Sequence, residues 1–431
     1  MKQAFQSDAA SHSVPRHGAV PRVMLIALMM ASFGMGLGID RFSATKTDAA
    51  SNFQDAKEYA VLEQTWNLIQ DNFVAIDDVN QSDLMYGAAA GMVDALGDTG
   101  HSRFANPEQA ALENSQLEGK FVGIGVSLDY TSGQPVIEYT IQDSPAQQAG
   151  LKGGDIITEI NGTKTAGLKP EDVQKLLIGK EGEQVSLTVT RPTTGESLSF
   201  DIIRAEIDAP SVTYTMLPND VALIRISVFS TGVTNQLKSA IRAVKRAGAT
   251  SLILDLRDNG GGIVFEAIGV ASQFVPEGKA LYLYQERDGE TKTIKAVPNG
   301  LATDIPMIVL INNNSASSSE ITAASIQDAG RGKLVGEATF GTGTVLTPFQ
   351  LDDGSEVILG TALWLTPDGQ SAWHVGLPPD IEVAMPADAD QIYPNSDTNE
   401  ISMATLKEST DVQLKTAFNT VTGTETFPVE K

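Results

Sequence analysis

Two short apolar runs, each ending in a cluster of small residues, restrict the fold of the C-terminal half more than any other feature. Residues 252–256 (LILDL) lead through Arg257, Asp258 and Asn259 into three consecutive glycines, Gly260, Gly261 and Gly262. Residues 307–311 (MIVLI) lead through three asparagines into Ser315-Ala316-Ser317-Ser318-Ser319-Glu320. Such runs, bounded by turn-forming residues, are strands buried inside a sheet. Around them, strands at 221–226, 251–256 and 307–311 alternate with helical patterns at 234–247, 263–274 and 317–328. Between about residues 209 and 387 that alternation predicts an α/β sheet.

Both strand exits are suited to chemistry. Consecutive glycines let backbone N–H groups converge on an anion. A serine at a strand-to-helix junction sits where the helix N-terminus offers free N–H groups and the positive end of its dipole to a developing oxyanion. Serine also caps helices routinely, so taken alone the position of Ser317 fits either role.

Composition narrows the choice of nucleophile. The chain has no cysteine, which excludes disulfides, thiolate catalysis and Cys-based metal sites together. Any nucleophile is therefore a hydroxyl or an amine. Of the four histidines, His12 and His17 lie in the N-terminal tail, which leaves His101 and His374 for the folded part. A net charge of −24 provides no basic footprint for phosphate, so nucleic acid is not an expected partner. The 431 residues exceed what one core organises, and 42% apolar with 19% charged residues is an ordinary globular balance.

Residues 23–39 (VMLIALMMASFGMGLGI) carry no charge and follow Arg16 and Arg22. The segment reads as a signal sequence or a slightly short transmembrane helix that leaves residues 1–22 in the cytoplasm. No clean small-x-small cleavage site follows, which favours a retained single-pass anchor, with the bulk of the chain extracytoplasmic, over secretion after cleavage. A polar linker at 40–54 precedes helical patterns at 60–73, 84–96 and 107–117. From Phe121 short strands with turn punctuation take over at 122–128, 134–139, 156–160 and 185–190, with one helix at 171–177. The last forty or so residues are polar and weakly periodic, with one helix expected at 401–418.

Residues 119–205 resemble a PDZ domain. The resemblance rests on Gly123-Ile124-Gly125-Val126, on Ser144-Pro-Ala-Gln-Gln-Ala-Gly-Leu-Lys-Gly-Gly-Asp155 and on the Ile156-Ile-Thr-Glu-Ile-Asn-Gly162 that follows. A Gly-rich loop before an exposed strand offers unpaired N–H groups to a terminal carboxylate, while the strand edge adds an extended peptide. Gly123, Ile124 and Gly125 are the candidate peptide-binding residues. A tight turn in a structural spacer is the competing reading.

The glycine turn and the serine segment occur in this order with Gly336-Glu-Ala-Thr-Phe-Gly-Thr-Gly-Thr-Val345 and Gly376-Leu-Pro-Pro-Asp-Ile-Glu-Val383 after them. Together they resemble the carboxy-terminal processing peptidases, or tail-specific proteases, over about residues 55–385, including Leu96-Gly-Asp-Thr-Gly-His-Ser102. The resemblance implies a multidomain α+β chain. Its parts would be a helical segment (55–118), a β-rich PDZ domain with helices (119–205), an α/β serine-peptidase core of the tail-specific protease or crotonase-like type (206–390) and a C-terminal extension (391–431). It makes Ser317 the nucleophile and maps the oxyanion donors to Gly261, or its neighbour, and to Ser318. It implies protein or peptide substrates with free C-terminal tails, no metal or cofactor for hydrolysis, and is compatible with a homo-oligomer.

One departure stands out. Family members usually carry a lysine base in Phe-Gly-Lys-Gly and a glutamine four residues later; here those positions are Thr342 and Leu346. A threonine hydroxyl cannot accept the serine proton near neutral pH. Either His101 or His374 replaces the lysine, as the serine–histidine relatives of this fold suggest, or the chain is an inactive pseudopeptidase that holds tails without cutting them.

Overall fold

A computed structural model describes residues 59–98, 101–129, 133–141, 144–168, 170–208, 210–386, 389, 391–394, 400–424 and 427. The expected anchor at 23–39 and the linker at 40–54 lie outside them. Among the described residues no helix is long and apolar enough to cross a membrane.

The peptidase-like half is built on a six-stranded sheet in the order Val212–Leu217, Val221–Ile226, Ser251–Asp255, Met307–Ile311, Gly332–Gly336, Ile381–Glu382. The first pair is antiparallel and the rest are parallel. The continuous apolar runs arise because both faces are covered and successive side chains point to opposite sides. Met307, Val309 and Ile311 enter one core with Leu252, Leu254, Ala222 and Ile224. Ile308 and Leu310 enter a second core with Ile253, Val221 and Leu223.

Helices Val233–Arg246, Val264–Ala271 and Ser318–Asp328 line the first face. In the helix Val233–Arg246 the buried residues Val233, Leu237, Ala240, Ile241 and Val244 form one stripe. Its N-terminus is capped from outside, since the Glu266 carboxylate accepts from the N–H groups of Gly232 at 2.7 Å and Thr234 at 3.0 Å. Beyond these helices lies an antiparallel sheet that includes Arg103–Ala105, Ala280–Gln285, Thr344–Gln350 and Glu356–Leu365.

The second face is covered by the C-terminal residues. Leu406, Leu414, Ala417, Phe418 and Phe427 belong to that core, so packing continues across the expected boundary at residue 390. The expected helix at 401–418 is two helices, Met403–Glu408 and Val412–Thr422. The break falls where Asp411 accepts from the Leu414 N–H at 2.8 Å as an N-cap and from Arg257 Nη1 at 3.0 Å with each oxygen. Arg257 also binds Asp255 through Nε and Nη2, and all three side chains are fully buried.

The PDZ-like unit is a sheet in the order Val126–Asp129, Val136–Thr140, Ile156–Ile160, Gln184–Arg191, Glu196–Ile203, with helices Pro145–Ala149 and Pro170–Leu177. Its own core contains Ile124, Ile137, Ile157, Val173, Val185 and Leu187. The strand expected at 122–128 is interrupted. Lys120–Gly123 pairs with Ala205–Asp208, and the strand Val126–Asp129 starts anew after Gly125, whose φ is +79°.

Candidate active site

Ser317 stands between the strand Met307–Ile311 and the helix Ser318–Asp328 in a conformation that few non-glycine residues adopt, φ 54° and ψ −115°. The glycine turn is packed directly against it. A Cβ on Gly261 (φ +107°) would lie 2.8 Å from the Ala316 carbonyl oxygen, 2.8 Å from Ser317 Cβ and 3.0 Å from the Ser318 nitrogen. Only glycine fits that approach.

Asn259, fully buried, joins the two segments. Its Oδ1 accepts from Gly261 N–H at 2.9 Å and its carbonyl accepts from Ala316 N–H at 3.0 Å and from the Ser319 hydroxyl at 2.8 Å. The Gly261 N–H expected at the oxyanion position is thus committed inside the turn. Among the described residues the N–H groups of Gly260, Gly262 and Ser318 donate to no acceptor, so these, and not that of Gly261, are the uncommitted donors of the two segments. Behind the turn, Asp258 accepts from Asn312 Nδ2 at 2.9 Å, Asn314 Nδ2 at 2.7 Å and the Tyr393 hydroxyl. Burial would raise its pKa, but these hydrogen bonds hold it below the usual carboxylate value.

Glu320 sets the strained backbone at Ser317. This fully buried carboxylate accepts from Ser317 N–H at 2.9 Å, Thr342 N–H at 3.0 Å, Gly341 N–H at 2.8 Å and the Thr339 hydroxyl at 2.6 Å. Burial pushes its pKa up against those four donors. Its signal in the sequence was the Ser317-x-x-Glu320 spacing of a capping box. Thr342, also buried, accepts from Ser317 N–H at 3.1 Å. Leu346 is buried with Ala105, Ala110 and Ile358. The two positions expected to carry a lysine base and its orienting glutamine therefore hold a backbone-bonded hydroxyl and a core apolar side chain.

The two histidines, 273 residues apart in sequence, converge: their ring centroids are 5.0 Å apart at 87°. His374 (φ 61°) lies on a segment packed against residues 339–343; its N–H donates to the Gly341 carbonyl at 2.8 Å, and a Cβ on Gly343 would strike Trp373. His101 is 2% exposed and rests edge-on against Phe340 at 5.5 Å. Burial lowers its pKa, Asp98 opposes that shift and His374 adds to it, leaving a neutral imidazole at neutral pH. Among the described residues, His101 Nδ1 has no hydrogen-bond partner and neither imidazole is bonded to Ser317. The His101 ring through Phe340 and the His374 backbone through Gly341 thus meet the loop that is bonded to Ser317, with no hydrogen bond from either imidazole to the serine.

Asp98 completes this group. Its Oδ2 accepts from Ser102 N–H at 3.1 Å and the Ser102 hydroxyl at 2.6 Å, and its Oδ1 from Trp373 Nε1 at 3.3 Å. The sequence signal was a carboxylate three residues before a candidate base, within a glycine-bounded turn.

In the PDZ-like unit, Gly123 pairs with Ala205. Ile124 is buried, and its carbonyl accepts from Ala146 N–H at 2.8 Å. The Gly125 carbonyl accepts from Ile141 N–H at 2.9 Å and the Ser144 hydroxyl at 3.2 Å. Among the described residues the N–H groups of Ile124 and Gly125 donate to no acceptor, the arrangement a terminal carboxylate would need.

Residues 220–383 match the family model for peptidase family S41, and residues 136–191 match that for the PDZ domain. The chain is 32% identical over 383 residues to the carboxy-terminal processing protease CtpA of Bacillus subtilis (strain 168), covering 87% of this chain and 81% of that protein. It is 33% identical over 309 residues to a probable CtpA-like serine protease of Staphylococcus haemolyticus (strain JCSC1435), covering 71% of this chain and 61% of that protein. Among solved structures, a putative S41 protease from Bacteroides fragilis superposes with a TM-score of 0.55 at 19% identity, over 80% of this chain and 91% of that one.

Proposed function

The chain belongs to peptidase family S41, with the carboxy-terminal processing proteases and their PDZ domain, and from that premise we propose that it is a serine endopeptidase with Ser317 as nucleophile and a histidine base. The observation that carries this reading is the convergence of His101 and His374 on the loop bonded to Ser317. Catalytic hydrogen bonds in peptide-free structures are often long and tighten in the substrate complex. In this mechanism an imidazole takes the Ser317 proton as Oγ attacks the peptide carbonyl. The N–H groups of Ser318 and Gly262 receive the oxyanion. The imidazolium then protonates the leaving amine, and water hydrolyses the acyl-enzyme with the same base. The PDZ loop at Gly123, Ile124 and Gly125 grips the substrate's C-terminal tail. The uncharged segment 23–39 supports placing the enzyme at a membrane with its bulk extracytoplasmic.

A second reading is favoured by Thr342, whose hydroxyl serves the Ser317 backbone instead of its Oγ. In that reading the core is inert and the PDZ unit binds tails without cleavage. Turnover of a fluorogenic peptide separates the two. An endopeptidase loses turnover in Ser317→Ala and most of it in His101→Ala or His374→Ala. Equal rates in wild type and Ser317→Ala would leave only the binding protein. Tail-peptide affinity in Gly123→Val, where a Cβ meets nothing within 4 Å, then tests the PDZ role, and unchanged affinity would make that unit a spacer.

A further inference from the structure

Asp98, His101 and His374 each bring one ligand atom, a carboxylate oxygen or an imidazole nitrogen, to within 4.8 Å of the other two. We propose that this trio binds a divalent transition-metal ion of the zinc class, and that the bound ion switches the peptidase off by occupying the imidazoles that Ser317 needs. The switching half rests on the Ser–His reading above; the binding half does not.

Two imidazoles and one carboxylate form a donor set suited to zinc, copper or nickel rather than to magnesium or calcium, which prefer all-oxygen sites. Ligand bonds of about 2.0–2.2 Å in a tetrahedral zinc site put ligand atoms about 3.4 Å from one another, so the three groups need to close by about 1.4 Å at most. His374 is exposed and can supply that adjustment by rotating. Among the described residues neither imidazole has a hydrogen-bond partner, and His101 Nδ1 is buried without one. The remaining groups are already held. Ser102 and the Trp373 indole fix the Asp98 carboxylate, as outer partners orient metal-ligating groups. The Phe340 and Trp373 rings flank the two imidazoles. A proton cannot be passed from Ser317 to an imidazole nitrogen whose lone pair is bound to a metal, so occupancy and proteolysis exclude each other.

The test is zinc competition between the full-length, tag-free chain and a chromogenic chelator, with peptide turnover followed in parallel. One site per chain is expected. Its affinity should fall at least about tenfold in His374→Ala and in Asp98→Asn, both with wild-type circular dichroism. It should stay unchanged in the His12→Ala/His17→Ala pair and in Glu286→Gln/Glu290→Gln, which removes two of the three carboxylates of the acidic group on the hairpin joining Ala280–Gln285 to Thr291–Lys295. Binding that is absent, that survives His374→Ala and Asp98→Asn, or that disappears with the tail histidines would overturn the site. Turnover should fall in step with occupancy and return with a chelator. Full turnover at full occupancy would overturn the switch while leaving the site, and the binding arm keeps its meaning even for a chain without turnover.

Discussion

Replacing Gly261 by alanine separates the two demands that the turn beside Ser317 makes on its backbone. At φ +107° an L-residue is strained, which costs about 1–2 kcal/mol. The added methyl would also sit 2.8 Å from both the Ala316 carbonyl oxygen and Ser317 Cβ, well inside the ~3.5 Å of an ordinary contact. Forcing a group into so packed a place adds about 1–3 kcal/mol. Gly248, with φ +98° and nothing within 4 Å of its would-be Cβ, supplies the reference, since alanine there incurs the strain alone. Urea denaturation followed by tryptophan fluorescence, to which the fully buried Trp364 contributes, should show a loss of about 2–5 kcal/mol for Gly261→Ala and about 1–2 kcal/mol for Gly248→Ala. Peptide turnover should fall tenfold or more, in order of magnitude, for Gly261→Ala only, because the methyl displaces Ser317. Equal losses of stability and unaltered turnover in both variants would refute the close approach of turn and serine.

Three other outcomes follow from particular contacts. Because burial lowers the His101 pKa below its unfolded value, the folded chain binds fewer protons than the unfolded one, and stability present above about pH 6.5 is lost as pH falls through the folded pKa; the urea midpoint should drop between about pH 7 and 5, and less so in His101→Asn. Asp411→Ala leaves the buried Arg257 with Asp255 as its one carboxylate partner and removes a helix cap, so the unfolding free energy should fall by about 3–5 kcal/mol, and an unchanged urea midpoint would mean that the C-terminal helices do not depend on this latch. Thr342→Val removes one of two acceptors of the Ser317 N–H and should cost about 0.5–1.5 kcal/mol in the same denaturation while retaining turnover, whereas abolished turnover would assign Thr342 a part in proton transfer.

What could be read from the sequence follows from how each element is buried. The strands Ser251–Asp255 and Met307–Ile311 were legible because both faces enter apolar cores and leave no alternation to misread. The C-terminal helical region is legible as one helix, but not its break, which depends on Arg257, 154 residues from Asp411, nor the apolar stripe with Leu414, Ala417 and Phe418 that its polarity hides. Much of the antiparallel sheet is not legible because its strands are half-exposed and two of its pairings, Arg103–Ala105 and Ala280–Gln285 with Glu356–Leu365, join distant segments. At the site, Ser317 and the two histidines could be singled out from residue scarcity and motif position. Their convergence could not, because it is set by the packing of Gly341 and Gly343 against residues 372–376. Glu320 was visible only as a helix-cap spacing; its four donors come from both sides of the site.

The claim that Ser317 is a nucleophile activated by a histidine is tested most directly by mass spectrometry of the chain after exposure to a fluorophosphonate. A single adduct on Ser317 is predicted, forming more slowly in His101→Ala or His374→Ala. No adduct on Ser317 in the folded chain, or labelling as fast in both histidine variants as in the wild type, would contradict it.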